Sequence, residues 1–180
     1  MGAAGGVGSA AIQVARLLGA QVIAVASSEA KRAFAAELGA VATIDTVVEG
    51  WRDRLKEACG GHGTDVIFDP VGGPLFELGF RSLAWRGRHL VVGFTGGPIP
   101  KMPINLPLMK GASLIGVDVR QFLLHEGSQA AGHLKQLLEW VAVDELVPPV
   151  GRVFTFSEFA DGMRFATSGQ GMAKTVISIG

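Results

Sequence analysis

The stretch Gly2-Ala3-Ala4-Gly5-Gly6-Val7-Gly8 constrains this chain more than any other. Glycine at such positions permits a tight turn, lets backbone approach a ligand closely, and lets the next helix pack close to a sheet. Directly after it, Ile12, Val14, Leu17 and Leu18 form an apolar helical stripe that ends at Gly19. Val22–Ala26 then reads as a strand buried on both faces, because its residues do not alternate with polar ones. A glycine-rich turn that opens a helix leading into a buried strand is the setting in which such a turn holds a pyrophosphate. The unpaired N–H groups and partial positive charge of a first helical turn suit that anion. A turn that holds no ligand is the alternative the residues leave open.

The alternation of strand and helix continues along the chain. Ser27 or Ser28 caps a helix whose first turn carries Glu29, with Phe34, Ala35 and Leu38 inward and Gly39 as its stop. The pattern then predicts a short strand at 41–44, a polar helix from Trp51 to Ala58, and a buried strand from Asp65 to Asp69. The turn Pro70-Val71-Gly72-Gly73 follows, then a helix around 75–83, a strand at 89–92 and a Gly- and Pro-rich loop over 93–107. A strand over Ser113–Val119 and a long helix over 129–143 precede the break at Pro148-Pro149. Beyond it the pattern predicts a strand at 150–154, a helix from Ser157 to about Thr167, and a final strand over 174–179. Non-alternating strands separated by helices predict the α/β class: a Rossmann-like, doubly wound parallel sheet covered on both faces. The expected division is a dinucleotide-binding domain over 1–149 and a C-terminal segment over 150–180.

Composition narrows the function classes. The 180 residues include 16 Lys+Arg against 16 Asp+Glu, with no block of like charge, so bulk attraction to nucleic acid or an anionic membrane is not expected. Cys59 is the single cysteine, which excludes an internal disulfide and a zinc site built on several thiolates. No apolar run approaches the ~18 residues of a membrane span, and the first residues lack the pattern of a secretory signal. The expected location is the cytoplasm.

The end of the first strand carries the next clue. Folds that prefer NAD place Asp or Glu about 20 residues after the glycine turn, to accept bonds from the ribose hydroxyls. Here the strand ends in Ala26-Ser27-Ser28, and Lys31 and Arg32 follow one helical turn later. Hydroxyls with two cations suit a 2′-phosphate, so NADPH is favoured over NADH. A capped helix with two solvated basic residues is the other reading.

These residues resemble a family. The stretch GAAGGVG followed by AAIQVARLLGAQVIAVASSEAKRAFAAELGA is similar to the cofactor domain of the medium-chain dehydrogenase/reductase superfamily. More narrowly it resembles the zinc-independent quinone oxidoreductases, the zeta-crystallin-like proteins. DVIFDPVGG at 65–73 and GRHLVVGFTGG at 87–97 are similar to later loops of that family. The resemblance implies that Gly5, Gly6, Val7 and Gly8 face a pyrophosphate and that Ser27, Ser28 and Lys31 lie at a 2′-phosphate. It further implies that Val71, Gly72, Gly93 and Phe94 lie beside the ribose and nicotinamide. Thr46 and Gln170 depart from the pattern, standing where relatives often carry a tyrosine and an arginine.

By the same resemblance, a first strand and an N-terminal GroES-like catalytic domain are expected to precede Gly2, and the segments after Val150 are expected to return to that domain. Those segments would then have no sheet to join here, and the chain would be a portion of a larger reductase with little turnover by itself. The expected function is the cofactor-binding portion of an NADPH-dependent quinone or enone oxidoreductase passing hydride to a small-molecule carbonyl or quinone acceptor; an enoyl reductase belongs to the same group. A non-catalytic nucleotide-binding or interaction module with a truncated fold is the alternative. The strand near Ser113–Val119 resembles an edge through which family members form homodimers. No catalytic residue and no metal ligand is assigned: His62, His89, His125 and His133 are scattered, without metal spacing or an acidic partner at a fixed offset.

Overall fold

Helix α1 (Gly6–Leu17) starts inside the glycine turn, three residues earlier than the apolar stripe predicts, because small residues there let the backbone coil at once. In the computed structural model, which describes residues 1–180, it is followed by β1 (Ile23–Val25), α2 (Glu29–Glu37), β2 (Ala42–Ile44) and α3 (Trp51–Ala58). Next come β3 (Thr64–Asp69), α4 (Leu75–Arg81), β4 (Leu83–Val91), α5 (Asn105–Lys110), β5 (Ser113–Gly116), α6 (Val119–His125) and α7 (Gly127–Ala142). The chain closes with β6 (Val150–Thr155), a 3-10 turn (Phe156–Glu158), α8 (Phe159–Thr167) and β7 (Lys174–Ser178). The order is that of an α/β, Rossmann-like chain. Its strands fall into three sheets, β1-β2, β3-β4-β5 and β6-β7. The pairs β3–β4, β4–β5 and β6–β7 are parallel. No helix is long and apolar enough to cross a membrane.

Two compact units make up the chain. One combines Gly2–Thr43 with Val147–Gly180. Its core is alanine-rich: Ala3, Ile12, Ala24, Ala26 and Ala35 are buried, with Val22, Leu38 and Ala40 against them. Small side chains here let α1 and α2 lie close to β1. Ser28 caps α2 by accepting from the Lys31 N–H at 3.3 Å. In the same unit β6 and β7 pair through Val153 with Val176 and Phe154 with Ile177, so the segments expected to lack a sheet join one another. Phe154 is buried under α8, where Gly162 leaves room for it and Ile177. Phe156 and Phe159 are exposed, whereas Phe154 and Phe165 pack together, at 5.7 Å between rings.

The other unit combines Met1 with Ile44–Leu146. Ile67, Phe80, Leu83, Leu106 and Ala112 form its core, with Met1 and Met102 packed on it. Strand β3 is buried at Ile67 and Asp69 but exposed at Asp65 and Val66, so only its second half is the buried strand expected. Strand β4 begins at Leu83, six residues before the expected start; Arg86 adopts a left-handed φ of 61° and breaks the pattern on which the reading relied. Strand β5 stops at Gly116, three residues before the expected end, because Asp118 caps α6 there: its Oδ1 accepts from the N–H groups of Arg120 and Gln121. Helix α5 begins in the last residues of the Gly- and Pro-rich segment and runs beyond it to Lys110.

Candidate functional site

In the first unit the glycine turn is held on both sides. The Ala3 N–H donates to the Val25 carbonyl at the end of β1, and the Ala4 carbonyl accepts from the Ala173 N–H just before β7. Gly5 is the extended N-cap of α1 and offers no side-chain cap. The Ser9 N–H closes the first helical bond on the Gly5 carbonyl at 2.9 Å. The N–H groups of Gly6, Val7 and Gly8 therefore precede the helical ladder, as the first N–H groups of any helix do. A Cβ on Gly8 would overlap the Gly2 carbonyl oxygen, so only glycine lets the helix sit on the turn that precedes it.

A Cβ on Gly6 would meet something different. It would come within 2.6 Å of Lys174 Cε and 2.8 Å of Nζ, so the lysine tail of β7 lies over the start of α1. No acidic residue stands in the first turn of that helix. A helix N-terminus carries about half a positive charge, so a cation beside it is unfavourable until an anion sits between them. The start of α1 under the Lys174 amine therefore suits an anion in charge, and the space above Gly6 is taken by the flexible lysine tail. Sequence reasoning missed Lys174, because only the spatial approach of β7 to the glycine turn brings it there; a lone lysine opening an apolar strand was the available signal.

Ser27 is exposed just past β1, and Ser28 spends its oxygen on the helix cap. Lys31 Nζ donates to the Gly169 carbonyl at 2.6 Å, and Arg32 Nη1 donates to the Ala26 carbonyl at 3.3 Å. Both cations thus rest on neutral carbonyls, Arg32 on one just past β1 and Lys31 on one in the segment between α8 and β7. Gln170 follows Gly169 and is itself turned by a bond from its N–H to Ser168 Oγ.

The remaining expected residues belong to the second unit, where they come together. Asp69 ends β3, and its Oδ1 accepts from the N–H groups of Val71 and Gly72, each at 2.9 Å. Gly72 is buried with φ 67°, and a Cβ on it would lie 3.3 Å from Phe94 Cδ1. The Pro70 carbonyl accepts from Thr95 N–H and Oγ1, and the Val71 carbonyl accepts from the Gly96 N–H at 2.8 Å. Turn 70–73 and loop 93–96 are thereby laced into one surface carrying Val71, Gly72, Gly93 and Phe94. A cavity of about 860 Å³ opens beside Gly93 and Phe94, with Val117, Phe122 and His125 among its walls.

The fold adds a partner that sequence offsets do not show. Among the histidines, His89 does have an acidic partner: its Nε2 lies 3.0 Å from Asp69 Oδ2, and both side chains are buried, at 0% and 1% exposure. The partners are brought together by the parallel register of β3 and β4, which no sequence offset announces. His62 also meets Asp65, at 3.4 Å on the surface. Burial pushes the Asp69 carboxyl up, but the bonds from His89, Gly72 and Val71 outweigh it and hold it below the ordinary carboxylate range. No three His, Cys, Asp or Glu side chains gather where a metal ion could be held.

Comparison with known proteins agrees with this geometry. Residues 6–141 match the family described as zinc-binding dehydrogenase. The chain is 33% identical over 178 residues to quinone oxidoreductase-like protein 2 of Bos taurus, covering 98% of this chain and 51% of the relative. The quinone oxidoreductase of Thermus thermophilus, solved also as its complex with NADPH, superimposes with a TM-score of 0.84 at 32% identity. That match covers 99% of this chain and 56% of the other. An NAD-dependent alcohol dehydrogenase superimposes equally well, with a TM-score of 0.84 at 30% identity, covering 98% of this chain and 49% of that one. The chain thus spans about half the length of the relatives it matches. It belongs to the zinc-binding dehydrogenase family and corresponds to the cofactor-binding portion of the medium-chain dehydrogenase/reductase superfamily.

Proposed function

We propose that the chain is the NADPH-binding portion of an oxidoreductase that passes hydride to a small carbonyl or quinone acceptor. The observation that carries this reading is the uncapped start of α1, bare of side chains at Gly6 and Gly8 and overhung by the Lys174 amine. The N–H groups of Gly6, Val7 and Gly8 bind the pyrophosphate, with Gly5 giving the turn and Lys174 swinging onto the same anion. Ser27, Ser28 and Lys31 hold the 2′-phosphate, Lys31 exchanging its carbonyl partner for the ligand. Val71, Gly72, Gly93 and Phe94 form the wall for ribose and nicotinamide. The bound dinucleotide supplies the hydride, while the protein orients it and excludes water.

The preference for NADPH rests on Ser27, Ser28 and Lys31, since relatives of both cofactor classes share the fold. Acceptor contacts fall to the part of the relatives' length outside this match, so binding with little turnover is expected of the 180 residues. Strand β5 is exposed along all four residues, which supports a homodimer edge, and the cytoplasm remains the proposed location. Calorimetric titration of the chain with NADPH and, in parallel, NADH tests the reading. NADPH should bind more tightly, Gly6→Asp should abolish binding, and Lys31→Glu should remove the preference. A folded chain that binds neither dinucleotide would refute it.

A further inference from the structure

Beneath the laced turn and loop lies a buried group that the proposed chemistry does not use. His89 sits on β4 opposite Ile67 of β3, and Asp69 stands two residues further along β3 on the same face. Its Nε2 therefore reaches the Asp69 carboxylate from below, at 3.0 Å. The Phe76 ring packs 4.6 Å from the imidazole and the Phe80 ring stacks 6.2 Å away. Gly79 of α4 comes near on the same side, where a Cβ would lie 3.7 Å from His89 Cε1. Nδ1 is buried with no hydrogen-bond partner.

That last detail assigns the tautomer. A proton on Nδ1 would be buried without an acceptor, whereas one on Nε2 points at a carboxylate oxygen. The imidazole is a one-way donor to Asp69. An apolar side chain would fill this pocket without leaving Nδ1 unsatisfied, so packing alone does not account for the histidine. What it adds is a third donor to a buried carboxylate whose other two donors are the N–H groups of Val71 and Gly72. Charge-assisted bonds of this kind are stronger than neutral ones, and fixing one oxygen fixes the other.

We infer that His89 is a positioning residue: through Asp69 it locks the Val71–Gly72 turn, and with it loop 93–96, into the conformation that receives the nicotinamide end of the dinucleotide. The inference rests on the proposed cofactor role for its functional half, and on geometry alone for its mechanical half. Because His89 lies under the turn and within the core, it acts on the ligand only through Asp69.

Two side chains test it. His89→Leu fills the pocket and removes the donor; His89→Gln keeps an N–H donor of similar reach. Amide hydrogen exchange at Val71 and Gly72, measured on the 180-residue chain without ligand, reads the lock directly. The leucine variant should speed exchange at these two amides by about tenfold or more, the scale of one charge-assisted bond, while the core amides of β4 stay protected. The glutamine variant should restore most of the protection, and NADPH affinity should follow the same order. Unchanged exchange in the leucine variant, or glutamine no better than leucine, would overturn the lock. Altered exchange with unaltered NADPH affinity would overturn its bearing on the ligand. A wild-type chain that binds no dinucleotide yet shows the exchange pattern would refute the proposed function and leave the lock standing. Should His89→Leu fail to fold, ring-nitrogen NMR of the wild type decides: the proton must reside on Nε2, and a proton on Nδ1 alone would overturn the inference.

Discussion

Gln13 and Val147 hold each other by two hydrogen bonds across 134 residues of chain. Gln13 Nε2 donates to the Val147 carbonyl and Oε1 accepts from the Val147 N–H, both at 3.0 Å. The side-chain amide thus pairs with backbone as a neighbouring strand would. It fastens the buried face of α1 to the segment that leads into β6. Replacing Gln13 with leucine should lower unfolding free energy by about 1–3 kcal/mol, since two bonds go and Val147 keeps its polar groups. Urea denaturation measures this, and a loss below the error of extrapolation would refute the pairing.

Two glycines of the same turn should behave oppositely. Gly8→Ala pushes a methyl into the Gly2 carbonyl, which is backbone and cannot move aside. It should cost roughly 1–3 kcal/mol, as overpacking does, and destroy dinucleotide binding with it. Gly6→Ala meets only the flexible end of Lys174, so the thermal midpoint should hold while binding falls. Parallel thermal melts and titrations separate the two cases.

Asp69 gives acid sensitivity a definite sign. Its carboxyl is held below the ordinary range in the folded chain, so the unfolded chain takes up the proton first as pH falls. Its stabilising contribution is complete at neutral pH, shrinks as pH drops through ~4, and is gone below the folded value. The groups facing it are His89 of β4 and the Met1 amine, which burial pushes below its ordinary range while Asp69 opposes the shift. Helix α4 presents Phe76 and Phe80 there. Asp69→Asn should be less stable at neutral pH and should flatten the acid limb of the urea-midpoint profile.

Cys59 should be a slow thiol. Burial raises its pKa and the nearby Asp65 charge raises it further, which depletes the thiolate that reacts. Its alkylation at neutral pH should lag behind that of glutathione under the same conditions. A faster rate would contradict the environment described for it.

What could be read in advance depended on the range over which the causes act. Helix α3 lies where the polar helical pattern put it, and Ser28, one of two candidate caps, and Gly39 bracket α2, because caps and apolar spacing are written within one or two turns. Strand β4 was half hidden: Trp85, Arg86 and Arg88 look unlike a strand until the partner backbones of β3 and β5 are present to pair with it. The expected site residues were recognisable as turns, yet Lys174 over Gly6 and His89 under Asp69 follow from which strands become neighbours. Neither relationship has a local spelling.

The stitching of the glycine turn also bears on how the chain acquires its structure. Ala4 and Gly5 meet Ala173, and Gln13 meets Val147, so the first unit is assembled from both ends of the polypeptide. The stretch Ile44–Leu146 holds a core of its own, with Met1 packed on it. During synthesis that middle stretch should collapse first, while α1 and β1 wait for β6 and β7 to emerge. The closure entropy of so long a loop is then settled last, which makes the final step of folding the one that lays Lys174 over the start of α1. Ordering of Lys174 and maturation of the site are, on this account, a single late event.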